Sequence, residues 1–280
     1  MLVDERVSIG LIGTEEDLIW RDLVRPKVAL AATPSALAIC EYGFTEILNN
    51  AIDHSGASTA RVLIQVSPVH IRLSIHDEGI GIFKKIAVAL SLEDEHLAIL
   101  ELAKGKLTTD PARHSGEGIF FTSRAMDTFD ILSGKLRFVH SIRGYDFLVD
   151  DSSDIAGTYV EMNLDSRSTR NLREVFDEYA DTEGGFTKTI VPVELAKYGD
   201  ENLISRSQAK RILSRLERFR QVIFDFKNVN SIGQGFADEL FRVFAQNHPA
   251  IKLLHTNTNS DVARMISHVL AESSSRTRSP

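Results

Sequence analysis

The strongest constraint on this chain is a pair of segments, Glu46-Ile-Leu-Asn-Asn50-Ala-Ile-Asp53-His54 and Asp77-Glu-Gly79-Ile-Gly81. Read as a helix, the first puts Glu46 and Asn50 one turn apart, so both side chains leave the same face. The second follows Ile71-Arg-Leu-Ser-Ile75, whose alternation is that of a half-buried strand. Asp77 therefore arrives at a strand end, just before a flexible two-glycine turn. An acid, an amide and a glycine turn together can hold a metal-bound nucleotide. The amide and water can complete the octahedral shell of a Mg²⁺ carried by phosphates. The lone acid can accept a hydrogen bond from an adenine amine, and the glycines let backbone approach a ligand closely.

This pair resembles the N box and first glycine box of the GHKL ATPases, which include gyrase and the catalytic domains of histidine kinases. His114-Ser-Gly116-Glu-Gly118-Ile-Phe-Phe-Thr-Ser-Arg-Ala-Met-Asp127 resembles the glycine lid that opens a helix, and Gly157-Thr158-Tyr-Val160 resembles the closing strand. The four boxes stand in the family's order over residues 41–164. The resemblance implies ATP and Mg²⁺ as ligands, with Asn50 on the metal and Asp77 on the adenine. Gly79 and Gly81 would shape the turn, Gly116 and Gly118 would offer N–H groups to phosphates at a helix start, and Thr158 would support the adenine through water. Glu46 stands where the hydrolysing and serine-kinase branches carry a general base; histidine kinases commonly have asparagine there. Asp53 follows Asn50 by three residues and can reach the phosphate side through water or serve as a capping group. Asn49 points elsewhere on the helix and is expected to be structural. Lys106 and His114 are expected at the surface, and His54 has no acid or cysteine cluster to make it a metal ligand.

The second half alternates strand-like and helix-like segments. Residues 186–195 and Gln221-Val-Ile-Phe-Asp-Phe226 read as strands, 205–219 as an amphipathic helix, 236–244 as a helix, 251–254 as a strand and 262–270 as a last helix. This βαβαβα order implies parallel strands joined by crossover helices. Phe224-Asp-Phe-Lys-Asn-Val229 followed by Phe236-Ala-Asp-Glu-Leu240 resembles STAS-like domains, the modules of anti-sigma-factor antagonists. Such antagonists carry a phosphoacceptor serine on the loop after this strand. Here the loop is Asn230-Ser-Ile-Gly-Gln-Gly235, with Gln234 and Gly235 at the aligned positions and Ser231 out of register.

The expected fold class is α/β: a two-layer α+β sandwich of the GHKL type, followed by a smaller βαβαβα STAS-like domain. The expected organisation is a helical adaptor over 1–40, the ATP-binding domain over 41–165, a linker over 166–185, the STAS-like domain over 186–270 and a disordered tail over 271–280. Residues 61–75 read as a hairpin broken at Pro68, 82–107 as largely helical, and 131–164 as strands separated by Gly134, Gly144 and Gly157. No run of about 18 apolar residues predicts a membrane span, and the first residues lack the pattern of a signal peptide. A cytoplasmic protein is therefore expected. The single cysteine, Cys40, excludes an internal disulfide and reads as an inert core thiol. With 32 basic against 39 acidic residues the formal charge is −7, which argues against broad nucleic-acid binding. The basic run Arg206, Lys210, Arg211, Arg215, Arg218 and Arg220 reads as a solvated helix face or a docking face for the acidic first half.

Within GHKL the anti-sigma-factor serine kinases are the nearest in form, which implies a serine/threonine kinase or slow ATPase in bacterial-type signalling. A non-catalytic ATP-gated binding switch is the alternative; a two-component histidine kinase fits poorly, because no phosphoacceptor helix pair is present. The expected partner is a regulatory protein, with docking between the two halves and homodimerisation as further options and no direct contact with nucleic acid or membrane.

Overall fold

The computed structural model describes residues 1–107, 116–142, 144, 146–181, 185–197 and 201–276, without the side chains of 147 and 272–276. The chain divides into two compact units, Met1–Glu178 and Tyr179–Pro280.

In the first unit the strands are β1 (Val3–Gly10), β2 (Thr59–Val66), β3 (Ile71–Asp77), β4 (Thr128–Ser141) and β5 (Phe147–Leu164). Among the described residues they form one antiparallel sheet in the order β1-β2-β3-β5-β4. The helices are α1 (Glu16–Ile19), α2 (Arg25–Val28), α3 (Pro34–His54), α4 (Ile82–Leu90), α5 (Glu95–Lys104), α6 (Gly118–Ala125) and α7 (Leu172–Tyr179). Register explains which face they cover. Val62, Ile75, Val160 and Ile131 lie in one row across the sheet, and Ile64, Leu73, Met162 and Phe129 in the next; all are buried. The intervening positions carry Arg61, His76 and Tyr159, and Arg72, Glu161 and Asn163, which bond among themselves on the other face. The result is a two-layer α+β sandwich with its apolar core under α3 and α6.

Residues 1–40 differ from the helical adaptor expected of them. Val3, Glu5, Val7 and Ile9 alternate inward, and the segment adds β1 to the sheet edge. A helical stretch then runs through a π turn at Trp20–Val24, and Trp20 packs on Phe44 of α3 with ring centroids 5.9 Å apart. Thr33 caps α3: it accepts the Ala36 N–H at 3.2 Å, with Pro34 in the first turn. Gly134 and Gly157 do not separate strands. They sit inside β4 and β5, where the pairing shifts register at Ser133–Gly134 and again before Leu136. Residues 166–178, expected in a linker, pack on the first unit instead. Arg170 pairs with Asp127 at 2.6 Å, and Phe176 of α7 sits edge-on to Tyr42 and Phe121. Cys40 is fully buried and its thiol is pushed up to about 12 by burial, which makes it inert.

In the second unit β6 (Lys188–Pro192), β7 (Gln221–Asp225) and β8 (Lys252–Thr256) form a parallel sheet in that order. The connections are α8 (Arg206–Leu213), then the segment α9 (Gln234–Asp238) and α10 (Phe244–Asn247) joined by a π turn, and finally α11 (Ser260–Arg276). Val191, Val222, Phe224, Phe236, Leu240, Val262 and Ile266 form its core. The amphipathic helix ends sooner than its pattern suggests, because Ser214 leaves helical backbone and Arg215 takes a positive φ of 63°. Arg206, Arg211 and Arg220 of the basic run pair with Asp238, Glu201 and Asp181. The last helix passes the expected boundary at 270 and reaches Arg276. Among the described residues no helix is long and apolar enough to cross a membrane.

Candidate functional site

Strand pairing places Ala60, Asp77, Thr158 and Ser133 in one row across β2, β3, β5 and β4, adjacent to the apolar row of Ile75 and Val160. Side chains two apart on a strand share a face, so Asp77 points under the helices with Ile75. It is only 5 % exposed. Burial raises its carboxyl above the ordinary carboxylate value, opposed by the Gly79 N–H, which donates to Oδ1 at 2.9 Å. The turn after Asp77 is pinned to the end of α3: Ile80 N–H donates to the Ser55 carbonyl at 2.9 Å, and a Cβ on Gly79 would fall 2.1 Å from that oxygen. Across the sheet Gly157 takes φ +73°, and a Cβ there would lie 2.0 Å from the Asp77 carbonyl. These contacts give both positions to glycine on steric grounds. Thr158 Oγ1 accepts the Ile82 N–H at 3.0 Å and fixes the start of α4.

On α3, Glu46, Asn50 and His54 fall at successive four-residue steps, one face of the helix. Asn50 Nδ2 donates to the Glu46 carbonyl at 2.8 Å, which orients the amide with its oxygen as the acceptor available to a cation. The Glu46 carboxylate lies against Gly118, the first residue of α6. One turn earlier, burial and the charges of Glu46 and Glu117 push the Tyr42 hydroxyl far up. Leu107 N–H donates to the Gly116 carbonyl at 3.0 Å, which ties together the chain on either side of 108–115. His114 and Ser115 lie outside the described residues.

These elements enclose a cavity of about 300 Å³. Of the residues singled out in the sequence, Glu46, Asn50, Asp77, Gly81, Gly116, Gly118 and Thr158 line it. Asp53 is exposed and Gly79 stands behind the wall, holding Asp77 in place. Asn49 lines the cavity, contrary to its expected structural position, as does His54. Sequence reading missed Lys85. Its Nζ donates to the His54 carbonyl at 2.8 Å, while burial lowers its pKa and the Asp53 carboxylate opposes that shift. Nothing in Phe83-Lys84-Lys85 distinguishes the inward lysine, although Ile82 and Ile86 are also on the wall. Ile75 and Val160, two residues from Asp77 and Thr158, line an apolar part of the wall and were findable from strand alternation.

The cavity thus has a buried acid at its sheet end, an amide oxygen and a second acid along α3, and a helix start opposite. Such a set suits a ligand with a hydrogen-bond donor at one end and anionic groups at the other. Among the described residues no cluster of three or more His, Cys, Asp or Glu is arranged to hold a metal ion. The single amide oxygen fits a hard cation such as Mg²⁺ that keeps most of its shell from water and substrate phosphates.

Comparison with known proteins speaks to the second unit. A family model described as a STAS-like domain of unknown function (DUF4325) matches residues 208–263, from within α8 into α11. The chain therefore carries a STAS-like domain near its C-terminal end. No curated protein matches the chain. In this domain the loop after β7 is clamped. Gly233 N–H donates to the Leu203 carbonyl at 2.8 Å, Ile232 bridges Leu203, and Ser231 and Gln234 are exposed.

Proposed function

We propose that the first unit is a GHKL-type Mg·ATP site and that the protein is a serine/threonine kinase or slow ATPase of a signalling system. The observation that carries this reading is the convergence on one cavity of Glu46 and Asn50 from α3, Asp77 from the end of β3, Thr158 from β5 and the start of α6. In this reading Asp77 accepts the adenine amine, Asn50 holds the metal, and the N–H groups at Gly116–Gly118 face phosphate. Mg²⁺ held at Asn50 would supply positive charge against the phosphates. Glu46 removes a proton from a water or a serine hydroxyl as that oxygen bonds to the terminal phosphorus, and the bond to the β-phosphate oxygen breaks to release ADP.

The STAS-like domain supports a second reading, in which ATP gates partner affinity without turnover. Gln234 has no hydroxyl to accept phosphate and Ser231 lies out of register, so this domain acts in binding rather than as the phosphoacceptor. The partner is a regulatory protein. One experiment separates the two readings: single-turnover phosphate release and protein phosphorylation, followed in the unmodified chain and in Glu46→Gln. Turnover lost in Glu46→Gln with ATP binding kept supports the enzyme. ATP binding without turnover in either protein leaves the switch.

A further inference from the structure

We propose that Lys85 is the cation that grips the α-phosphate end of the nucleotide, so that the cavity selects nucleotides over nucleosides; this rests on the reading of the cavity as an ATP site. The position follows from two anchors. Glu46, Asn50 and His54 step along α3 at about 6 Å each, and Lys85 Nζ is held on the His54 carbonyl at 2.8 Å. Lys85 is therefore at the end of that row remote from Glu46. One turn before it on α4, the Ile82 N–H is fixed to Thr158, which pairs with Asp77 across β3 and β5. Lys85 thus lies beside the last turn of α3, on the side of Asn50 away from Glu46, and one helical turn from the residue bonded to Thr158.

Charge makes the same assignment. The described lining residues include the carboxylates of Glu46 and Asp77 and one Lys or Arg side chain, that of Lys85. In the proposed site Asn50 would hold the metal and the start of α6 would face the terminal phosphates, which leaves the α-phosphate end to Lys85. An ammonium has three donors, so the bond to His54 is compatible with a bond to phosphate. Asp53, outside the cavity, supplies a counter-charge that opposes the lowering of the Lys85 pKa by burial.

The test is calorimetric titration of ATP, ADP, AMP and adenosine, with Mg²⁺ present, into the full chain and into Lys85→Met and Lys85→Arg. The thermal unfolding midpoint of each protein is taken alongside. Loss of a charged hydrogen bond to phosphate should weaken ATP, ADP and AMP in Lys85→Met by a common factor of about tenfold or more. Adenosine should be unaffected, and Lys85→Arg should recover most of the loss. Equal weakening of adenosine, a loss confined to ATP, or no loss at all would each overturn the assignment of Lys85 while leaving the ATP site standing. An unmodified chain that binds none of the four overturns the ATP site and the assignment together.

Discussion

Gly118 and Glu46 are in contact: a Cβ added to residue 118 would lie 1.9 Å from Glu46 Oε2. The start of α6 therefore sets where the α3 carboxylate can sit. Gly118→Ala should displace that carboxylate, because the added Cβ would occupy its space. If Glu46 is the base, single-turnover phosphate release should fall by about a hundredfold. ATP affinity, read by calorimetry, should stay within a few-fold of the unmodified protein.

Burial of Asp77 bears on stability and on the proposed binding in opposite directions. Its folded-state pKa is raised by burial, so the folded chain takes up a proton there more readily than the unfolded chain. Its contribution to stability is therefore unfavourable above the raised pKa and improves as pH falls through it. In the proposed ATP site nucleotide binding should have the opposite dependence, because the adenine amine would need the carboxylate. Affinity should decline on acidification before the ordinary carboxylate value of 3.8 is reached. Asp77→Asn keeps an acceptor for the Gly79 N–H and removes the buried charge, so its urea midpoint at neutral pH should equal or exceed that of the unmodified chain.

A second buried cluster supports the fold away from the cavity. Arg124 of α6 and His140 of β4 both face Asp146, and Arg124 lies 5.2 Å from the Phe120 ring centroid. Although burial alone would raise the Asp146 carboxyl, the Arg124 charge and the His140 contact prevail and hold it at about 2. That stability is present above the unfolded value of 3.8 and is lost as pH falls toward about 2. His140 is depressed below 6.5 by burial and by Arg124, so its neutral form adds stability that fades below that pH. Arg124→Met leaves Asp146 buried without its cation and should cost about 3 kcal/mol in urea unfolding. Its acid-unfolding midpoint should move to higher pH.

Gly233 provides a test confined to the STAS-like domain. A Cβ there would come within 2.7 Å of the Ile204 Cα, a backbone atom that cannot rotate away. Gly233→Ala should destabilise that unit by about 1–3 kcal/mol. Hydrogen exchange should accelerate in β7 and α9 while α3 and β3 in the first unit keep their protection.

The sequence made Asp77 legible because a two-residue alternation ran into an acid and a glycine turn, and the structure has that strand. Glu46 and Asn50 were equally legible because helical spacing alone aligns them. The parallel order of β6, β7 and β8 followed from alternating strand and helix patterns. Lys85 was invisible, because its orientation depends on how α4 meets the end of α3 rather than on local pattern. β1 was missed because Asp4, Glu5 and Arg6 interrupt its apolar positions, and an edge strand needs burial on one face only. Gly157 was read as a break between strands because glycine is disfavoured inside them; here its positive φ lets β5 continue past the Asp77 carbonyl.

The most direct test of the ATP site is calorimetric titration of Mg·ATP into the full chain and into Asp77→Asn. Saturable binding at one site per chain, abolished in a folded Asp77→Asn, is the expected result. No binding to the unmodified chain, or undiminished binding to Asp77→Asn, would contradict the assignment of this cavity to ATP.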